Sequence, residues 1–319
     1  MLKNIFFISV FFLGFSNCLA DGSFEEQWHK AQKEYVTIKN QYKLYKYDLY
    51  CHPFWEKNRC KLEQIINGAP NKNFLNGPVI SSTMVWRGFP KSNEYEEIYL
   101  KHCISGETKK KLKRFKDTNF LPHKCRAFDC SFGSLVHLFY AATSLEALRG
   151  KEPKNIVEFG GGYGNLARIF KMMVPESTIF IIDLPELIVF QAIFLRSTLP
   201  GKEVIIHSKA PESFAKGTIN LIPVYLLEDI DVKADVFIST FAISETTERL
   251  QNLVFKKRFF DADVCYIVGQ LNGWGKVGFE GHSFIHSALR NSYRDVKIQP
   301  FHVFLDGDFK SYEAIAVKN

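Results

Sequence analysis

The chain has 319 residues, of which 46% are hydrophobic, 15% aromatic and 24% charged. That composition excludes collagen-like repeats, low-complexity disorder and a multi-span membrane protein. The formal charge of +7 comes from 41 Lys and Arg against 34 Asp and Glu, too dilute over this length for a dedicated nucleic-acid binder.

Residues 1–20 open on a short charged start with Lys3, run through the uncharged IFFISVFFLGF of residues 5–15, and end on Ser16-Asn17-Cys18-Leu19-Ala20. This order predicts a secretory signal cut after Ala20 and an exported protein, periplasmic or secreted. Left uncut, the same segment would instead tether the chain to a membrane facing the cytosol. The apolar run falls short of the ~20 residues a membrane span needs, so no stable span is expected after cleavage. Cys18 leaves with the signal; Cys51, Cys60, Cys103, Cys125, Cys130 and Cys265 remain. Cys51–Cys60 and Cys125–Cys130 are the nearest pairs for bridges in an oxidising compartment. Neither has C-x-x-C zinc spacing, and no metal is expected.

Residues 21–127 read as a helical and irregular region. Trp28, Tyr35, Ile38, Tyr42 and Tyr45 recur at helical spacing. Residues 67–93 carry Asn67-Gly68, Gly77-Pro78 and Phe89-Pro90 and read as loop. The basic run at 105–116 (SGETKKKLKRFK) reads as a solvated helix face or loop. Residues 128–319 read as a second, larger unit. It opens on an apolar helix at 135–148, which ends at Arg149-Gly150. Strands are then expected at 155–159, 178–183, 203–207, 235–240 and 264–271, with helices at 166–173, 185–196 and 246–260. A terminal hairpin is expected from 295–304 and 312–317. Alternation of this kind specifies an α/β, mostly parallel, doubly wound sheet.

The chemistry begins where the first of these strands meets its helix. Gly160-Gly161-Gly162-Tyr163-Gly164 occupies the turn, where glycines allow close backbone approach to a ligand and the helix start offers unpaired N–H groups. The next strand ends in Asp183, placed to accept hydrogen bonds from ribose hydroxyls. The combination points to a nucleoside-type cofactor. Gly162-x-Gly164-x-x-Ala167 also satisfies the dinucleotide fingerprint, which keeps an NAD(P)-dependent oxidoreductase open.

Glu158, Gly160, Gly162 and Gly164 form an acid-x-Gly-x-Gly-x-Gly pattern that resembles motif I of class I S-adenosylmethionine (AdoMet)-dependent methyltransferases. EFGGGYGNLARIF (158–170), IIDLPELIVFQAIFL (181–195) and DVFISTFAISE (235–245) together resemble the bacterial sugar O-methyltransferase family. The likeness covers about residues 128–275; residues 21–125 match no pattern, and a signal segment departs from an expected cytosolic enzyme. The resemblance implies a Rossmann-like methyltransferase fold with its seventh strand inserted beside the sixth. It implies AdoMet as cofactor and a sugar or glycan hydroxyl as acceptor. Glu158, Gly160, Gly162 and Gly164 would line the methionine and ribose side, Asp183 would hold the ribose, Leu184 would flank the adenine, and Ser239 and Thr240 would face the methyl-transfer cleft. Glu245, just past the 235–240 strand, is the candidate for substrate orientation or general base, and a helix-start acid is its structural alternative. His207, His137, Asn272, Trp274 and the i,i+4 pair His282 and His286 are weaker candidates. An exported carbohydrate-binding or structural protein that keeps the fold without catalysis is the other open reading.

Overall fold

The computed structural model describes residues 23–44, 53–85, 94–120, 128, 130–271, 282–301 and 311–318. The expected signal, Asn272 and Trp274 lie outside them, as does one cysteine of each nearest pair, Cys51 and Cys125. Among the described cysteines, Cys60 and Cys103 are exposed and Cys130 and Cys265 buried. Among the described residues no helix is long and apolar enough to cross a membrane.

Helix α1 (Phe24–Leu44) buries Trp28, Ala31, Tyr35, Ile38 and Tyr42, a 3-4-3-4 spacing that places all five on one stripe. Helix α2 is Pro53–Asn67. The stretch expected as loop contains a 3-10 turn at Phe74–Asn76 and helix α3 (Pro78–Thr83). Gly77-Pro78 is a helix start here, because Pro at the first position loses no hydrogen bond and its φ is already helical. Helix α4 (Glu94–Ile98) runs into a π turn at Tyr99–Cys103, and α5 (Gly106–Leu112) carries the basic run. Helix α6 (Phe132–Ala147) starts three residues before the expected position, because the Ser131 hydroxyl caps it by accepting the Ser134 N–H. Its whole length to Leu145 is buried, as a helix apolar on every side requires.

Beyond α6 come β1 (Asn155–Phe159), α7 (Asn165–Met173), β2 (Thr178–Asp183) and α8 (Pro185–Thr198). They are followed by β3 (Val204–Ile206), β4 (Ile219–Pro223), β5 (Val236–Thr240) and α9 (Glu248–Lys256). The chain closes with β6 (Val264–Gln270), α10 (His282–Ser292), β7 (Asp295–Phe301) and β8 (Ser311–Val317). The eight strands form one sheet in the order β3-β4-β2-β1-β5-β6-β8-β7. Pairing is parallel from β3 through β6, and β8 runs antiparallel between β6 and β7. An inserted, reversed last strand on a doubly wound parallel sheet is the methyltransferase-like Rossmann topology, as the sequence led us to expect.

Strand β4 is not announced by the sequence pattern. INLIP has Asn220 as its second residue, ends on Pro223 and follows Gly217 closely, so neither a long apolar run nor a clean alternation marks it. Asn220 is tolerated there because its amide donates to Thr218 Oγ1 and its carbonyl faces His207 Nε2. The strand expected at 203–207 is therefore an edge strand, and 235–240 supplies the fifth strand, not the fourth.

One continuous buried core runs from Trp28 to Ala316. Helix α1 lies along α8, tied by Glu34 to Arg196 (2.6 and 3.0 Å) and by Tyr35 to Glu186. The N-terminal helices thus complete the same core as the sheet.

Candidate functional site at the carboxyl edge of the sheet

Helices leave β1 toward β2 on one side, and the chain continues into β5 on the other. The crevice outside their carboxyl ends is therefore the switch point at which such sheets bind ligands. The residues named above meet there.

The turn after β1 holds Gly160 at φ +80° and Gly162 at φ +56°, left-handed backbone that L side chains adopt at a cost. At Gly160 space is also closed: a Cβ would overlap the Ala242 side chain from beyond β5. The turn therefore approaches the 3-10 segment Ala242–Glu245 as closely as backbone allows. Gly164 caps α7.

Asp183, 8% exposed, organises this turn. Its carboxylate accepts the N–H groups of Gly161, Gly162 and Leu184, the last at 2.8 Å, and the Gln191 Nε2 at 2.7 Å. Gln191 also donates to the Gly162 carbonyl at 3.1 Å. Burial pushes the Asp183 carboxyl up to about 7 even though all four donors pull it down. Glu158, 2% exposed on β1, accepts the Ala167 N–H at the start of α7. Burial first, and then the Asp183 charge, raise it to about 8. Two buried polar atoms beside the turn, Glu158 Oε2 and Gln191 Oε1, have no hydrogen-bond partner among the described residues.

Leu184 is buried at the start of α8 with Pro185 next to it. Ser239 is fully buried, its hydroxyl donating to the Phe159 carbonyl at 2.9 Å and accepting the Ile243 N–H at 3.1 Å. It braces the ends of β1 and β5 against each other and does not face the cleft. Thr240, one residue on, is half-buried.

Phe241 follows at φ +67° with its N–H on the Val268 carbonyl at 2.6 Å. Left-handed backbone at a bulky residue is strain held by the surroundings, and here it turns the chain so that Glu245 returns to the edge. The half-buried Glu245 accepts Gln270 Nε2 at 2.6 Å, at the end of β6, and a hydrogen bond from the Trp55 side chain of α2. Indole has only an N–H to offer, so Trp55 donates. Burial pushes Glu245 up to about 7 against both donors.

Trp55, Gln191 and Gln270 also contact the acids of this edge, beyond the residues that the sequence pattern singles out. Gln270 could have been found as a polar residue ending an apolar strand; Trp55 and Gln191 carry no such signal. The histidines are taken up by other partners. His137 is buried against Asn165 (Nδ1 at 3.0 Å) and held neutral, its pKa lowered to about 3 by burial and then by Arg168. His207 pairs with Asn220 at the far edge of the sheet. His282 and His286 stack with ring centroids 5.7 Å apart, and His286 meets the Tyr312 ring at 4.5 Å.

No family model matches this chain, and no curated protein matches it. Among solved structures, it is similar to phosphoethanolamine N-methyltransferase 2 of Haemonchus contortus with bound S-adenosyl-L-methionine. That likeness has 9% identity over 56% of this chain and 52% of that one, with a TM-score of 0.41. It is similar to precorrin-6y C5,15-methyltransferase of Geobacter metallireducens, with 14% identity over 56% and 88% of the chains and a TM-score of 0.37. It is also similar to the N-terminal domain of EvdMO1 crystallised with SAH and D-fucose, with 9% identity over 66% and 95% and a TM-score of 0.42. The fold assignment above rests on strand order and the reversed β8.

Proposed function

We propose that the chain is an AdoMet-dependent O-methyltransferase acting on a sugar or glycan hydroxyl. The observation that carries the cofactor half is electrostatic. Glu158 stands one residue before the end of β1, Asp183 ends β2 and Glu245 follows β5, three adjacent strands, and among the described residues no Lys or Arg pairs with any of them. N–H donors alone hold them. A crevice of three uncompensated acids suits a ligand that is itself cationic, and AdoMet carries a sulfonium and an ammonium against one carboxylate, a net positive charge. It disfavours the anionic pyrophosphate of a dinucleotide, so the competing fingerprint reading has the wrong charge.

The residues fit the cofactor in kind. A glycine turn admits a ligand against backbone, and the orphaned Glu158 Oε2 and Gln191 Oε1 offer acceptors beside it. Asp183 would hold the ribose, with Gln191 giving up its place on the carboxylate. Glu158 and the glycines would line the methionine side, Leu184 the adenine, and Thr240 the path to the acceptor.

AdoMet, when bound, supplies an electrophilic methyl group. Glu245 then receives the proton of the acceptor hydroxyl at its carboxylate, a role suited to a carboxyl held near 7. Gln270 and Trp55 fix the orientation of that carboxylate. Phe241 and the Ser239 brace hold the segment in place, so alignment is set before substrate arrives.

Calorimetry on protein lacking residues 1–20 tests the cofactor, with NAD expected to bind at least tenfold more weakly than AdoMet. Incubation with methyl-labelled AdoMet and a panel of glycans tests the acceptor, and Glu245→Gln should lower turnover by ~10²-fold or more with little change in AdoMet affinity. Absence of AdoMet binding overturns the proposal. Label transfer unaffected by Glu245→Gln removes Glu245 from it.

A further inference from the structure

Helix α2 touches the site at two points. Trp55 donates to Glu245 beyond β5. One turn later Arg59 reaches Glu186, the second residue of α8, at 2.6 Å, and Tyr35 of α1 adds a hydrogen bond to the same carboxylate at 3.1 Å. Glu186 follows β2 and Glu245 follows β5, with β1 and its glycine turn between them. Trp55 and Arg59 lie about 6 Å apart along the helix, and β2 and β5 lie about 10 Å apart across the sheet, a gap that two long side chains span. At the foot of α3, Met84 stands where a Cβ on Gly162 would meet its side chain at 3.7 Å. The N-terminal helices therefore lie over the turn and are pinned by acids on both sides of it.

We propose that Trp55 is a positioning residue for Glu245 and that the bond between them is also a latch: the α2 cover is held down while Glu245 is ionised and loosens when Glu245 receives the acceptor's proton. This rests on the function proposed above. In the transfer the acceptor oxygen forms its bond to the methyl carbon, the methyl–sulfur bond breaks with its electron pair staying on sulfur, and the hydroxyl proton passes to Glu245. The indole N–H then faces a neutral carboxylic acid in place of a carboxylate, and the charge-assisted bond loses about half its strength. The cover is thereby released at the step after which S-adenosylhomocysteine has to leave.

Other groups bear on the cover's pH response. Glu245 faces Gln270 and Trp55, and burial of the carboxyl favours its neutral form. At the other pin, Glu186 faces Arg59, Tyr35 and Lys39, and burial raises its pKa as well. Trp55→Phe separates the two pins, because it keeps the ring, removes the donor and leaves Arg59–Glu186 intact.

The test is amide hydrogen exchange of residues 53–67 in the protein without ligand, corrected for the intrinsic rate, at pH 8 and pH 6. Release of S-adenosylhomocysteine is followed in parallel by stopped-flow displacement. Wild-type α2 is expected to open about fivefold or more as pH falls, with ligand release accelerating in step. Trp55→Phe should be open at both pH values and lose most of that dependence. Arg59→Met should open α2 throughout and keep it. Wild-type exchange that does not change with pH overturns the latch, and so does a Trp55→Phe variant with the full wild-type dependence. Failure of the wild type to bind S-adenosylhomocysteine would overturn the assigned function, while α2 exchange still reads the latch by itself.

Discussion

Adding one methyl group at Gly160 tests whether the glycine turn and the Glu245 segment are one mechanical unit. The new Cβ would overlap the Ala242 Cβ and lie 3.4 Å from its Cα, so the contact is with backbone-bound atoms that no rotamer change can move. Overpacking of this kind costs about 1–3 kcal/mol. Left-handed backbone at a residue with a Cβ adds roughly 1–2 kcal/mol. Gly160→Ala should therefore lose about 2–5 kcal/mol in urea unfolding followed by circular dichroism, and should move the segment bearing Glu245. Ala242→Gly alone costs about 0.5–1 kcal/mol from the freer unfolded chain. Combined, the two changes remove the overlap and leave the φ term and the cost of the added glycine, so the double variant should recover about 1–3 kcal/mol relative to additivity. AdoMet calorimetry on the same proteins should show affinity lost in Gly160→Ala and partly restored in the double variant. Stability changes that add to within about 0.5 kcal/mol would mean that the two sites do not touch, and the geometry of the edge would be wrong.

The acids of the site make stability depend on pH. Glu158 near 8 and Asp183 near 7 hold protons in the folded chain that the unfolded chain has already released near pH 4. Stability therefore falls as pH rises from about 4 and levels off above 8, by about 3 kcal/mol between pH 6.5 and 8.5, and Glu158→Gln should flatten that decline in urea unfolding. Binding a cation beside these acids should expel a proton, so the apparent AdoMet binding enthalpy should vary with the ionisation enthalpy of the buffer; a buffer-independent enthalpy would contradict the charge argument. Asp183→Ala should weaken AdoMet by about 2–4 kcal/mol and also lower the melting temperature, because Gly161, Gly162 and Leu184 lose their acceptor. If residues 1–20 act as an export signal, intact-mass measurement with and without thiol alkylation should show a chain beginning at Asp21 with Cys51–Cys60 and Cys125–Cys130 bridged, a result that counts against catalysis with a cytosolic cofactor; an uncut chain with free thiols would instead favour a tethered enzyme facing the cytosol.

The sequence announces elements whose own residues specify them. NIVEF and TIFIID coincide with β1 and β2 to the residue, because β-branched and aromatic runs stop at a glycine turn and at an acid. The stripe of α1 and the reversed pair at the C-terminus are equally local patterns. Features that depend on a distant partner are not legible. Ser239 at the end of an edge-pointing strand reads as a cleft residue, but the Phe159 carbonyl and the Ile243 N–H take both sides of its hydroxyl. Asn220 disguises β4 for the same reason. Trp55 cannot be assigned to the site from sequence, because nothing near it signals that Glu245 lies within reach.

Two kinds of buried acid stand at this edge, and they separate by partner. Glu186 is buried, but Arg59 and Tyr35 offset part of that burial, so the contact fixes the N-terminal helices onto α8. Glu158 and Asp183 are also deeply buried and have no cation; burial pushes their carboxyls up to about 8 and 7, a cost that a core of Gln or Leu would avoid. A fold tolerates that cost where an incoming positive charge offsets it. The contrast also explains why α2 matters. It is the element that meets both kinds of acid: Arg59 satisfies the structural one, and Trp55 only donates to the other, leaving the charge of Glu245 free to respond to what the crevice binds.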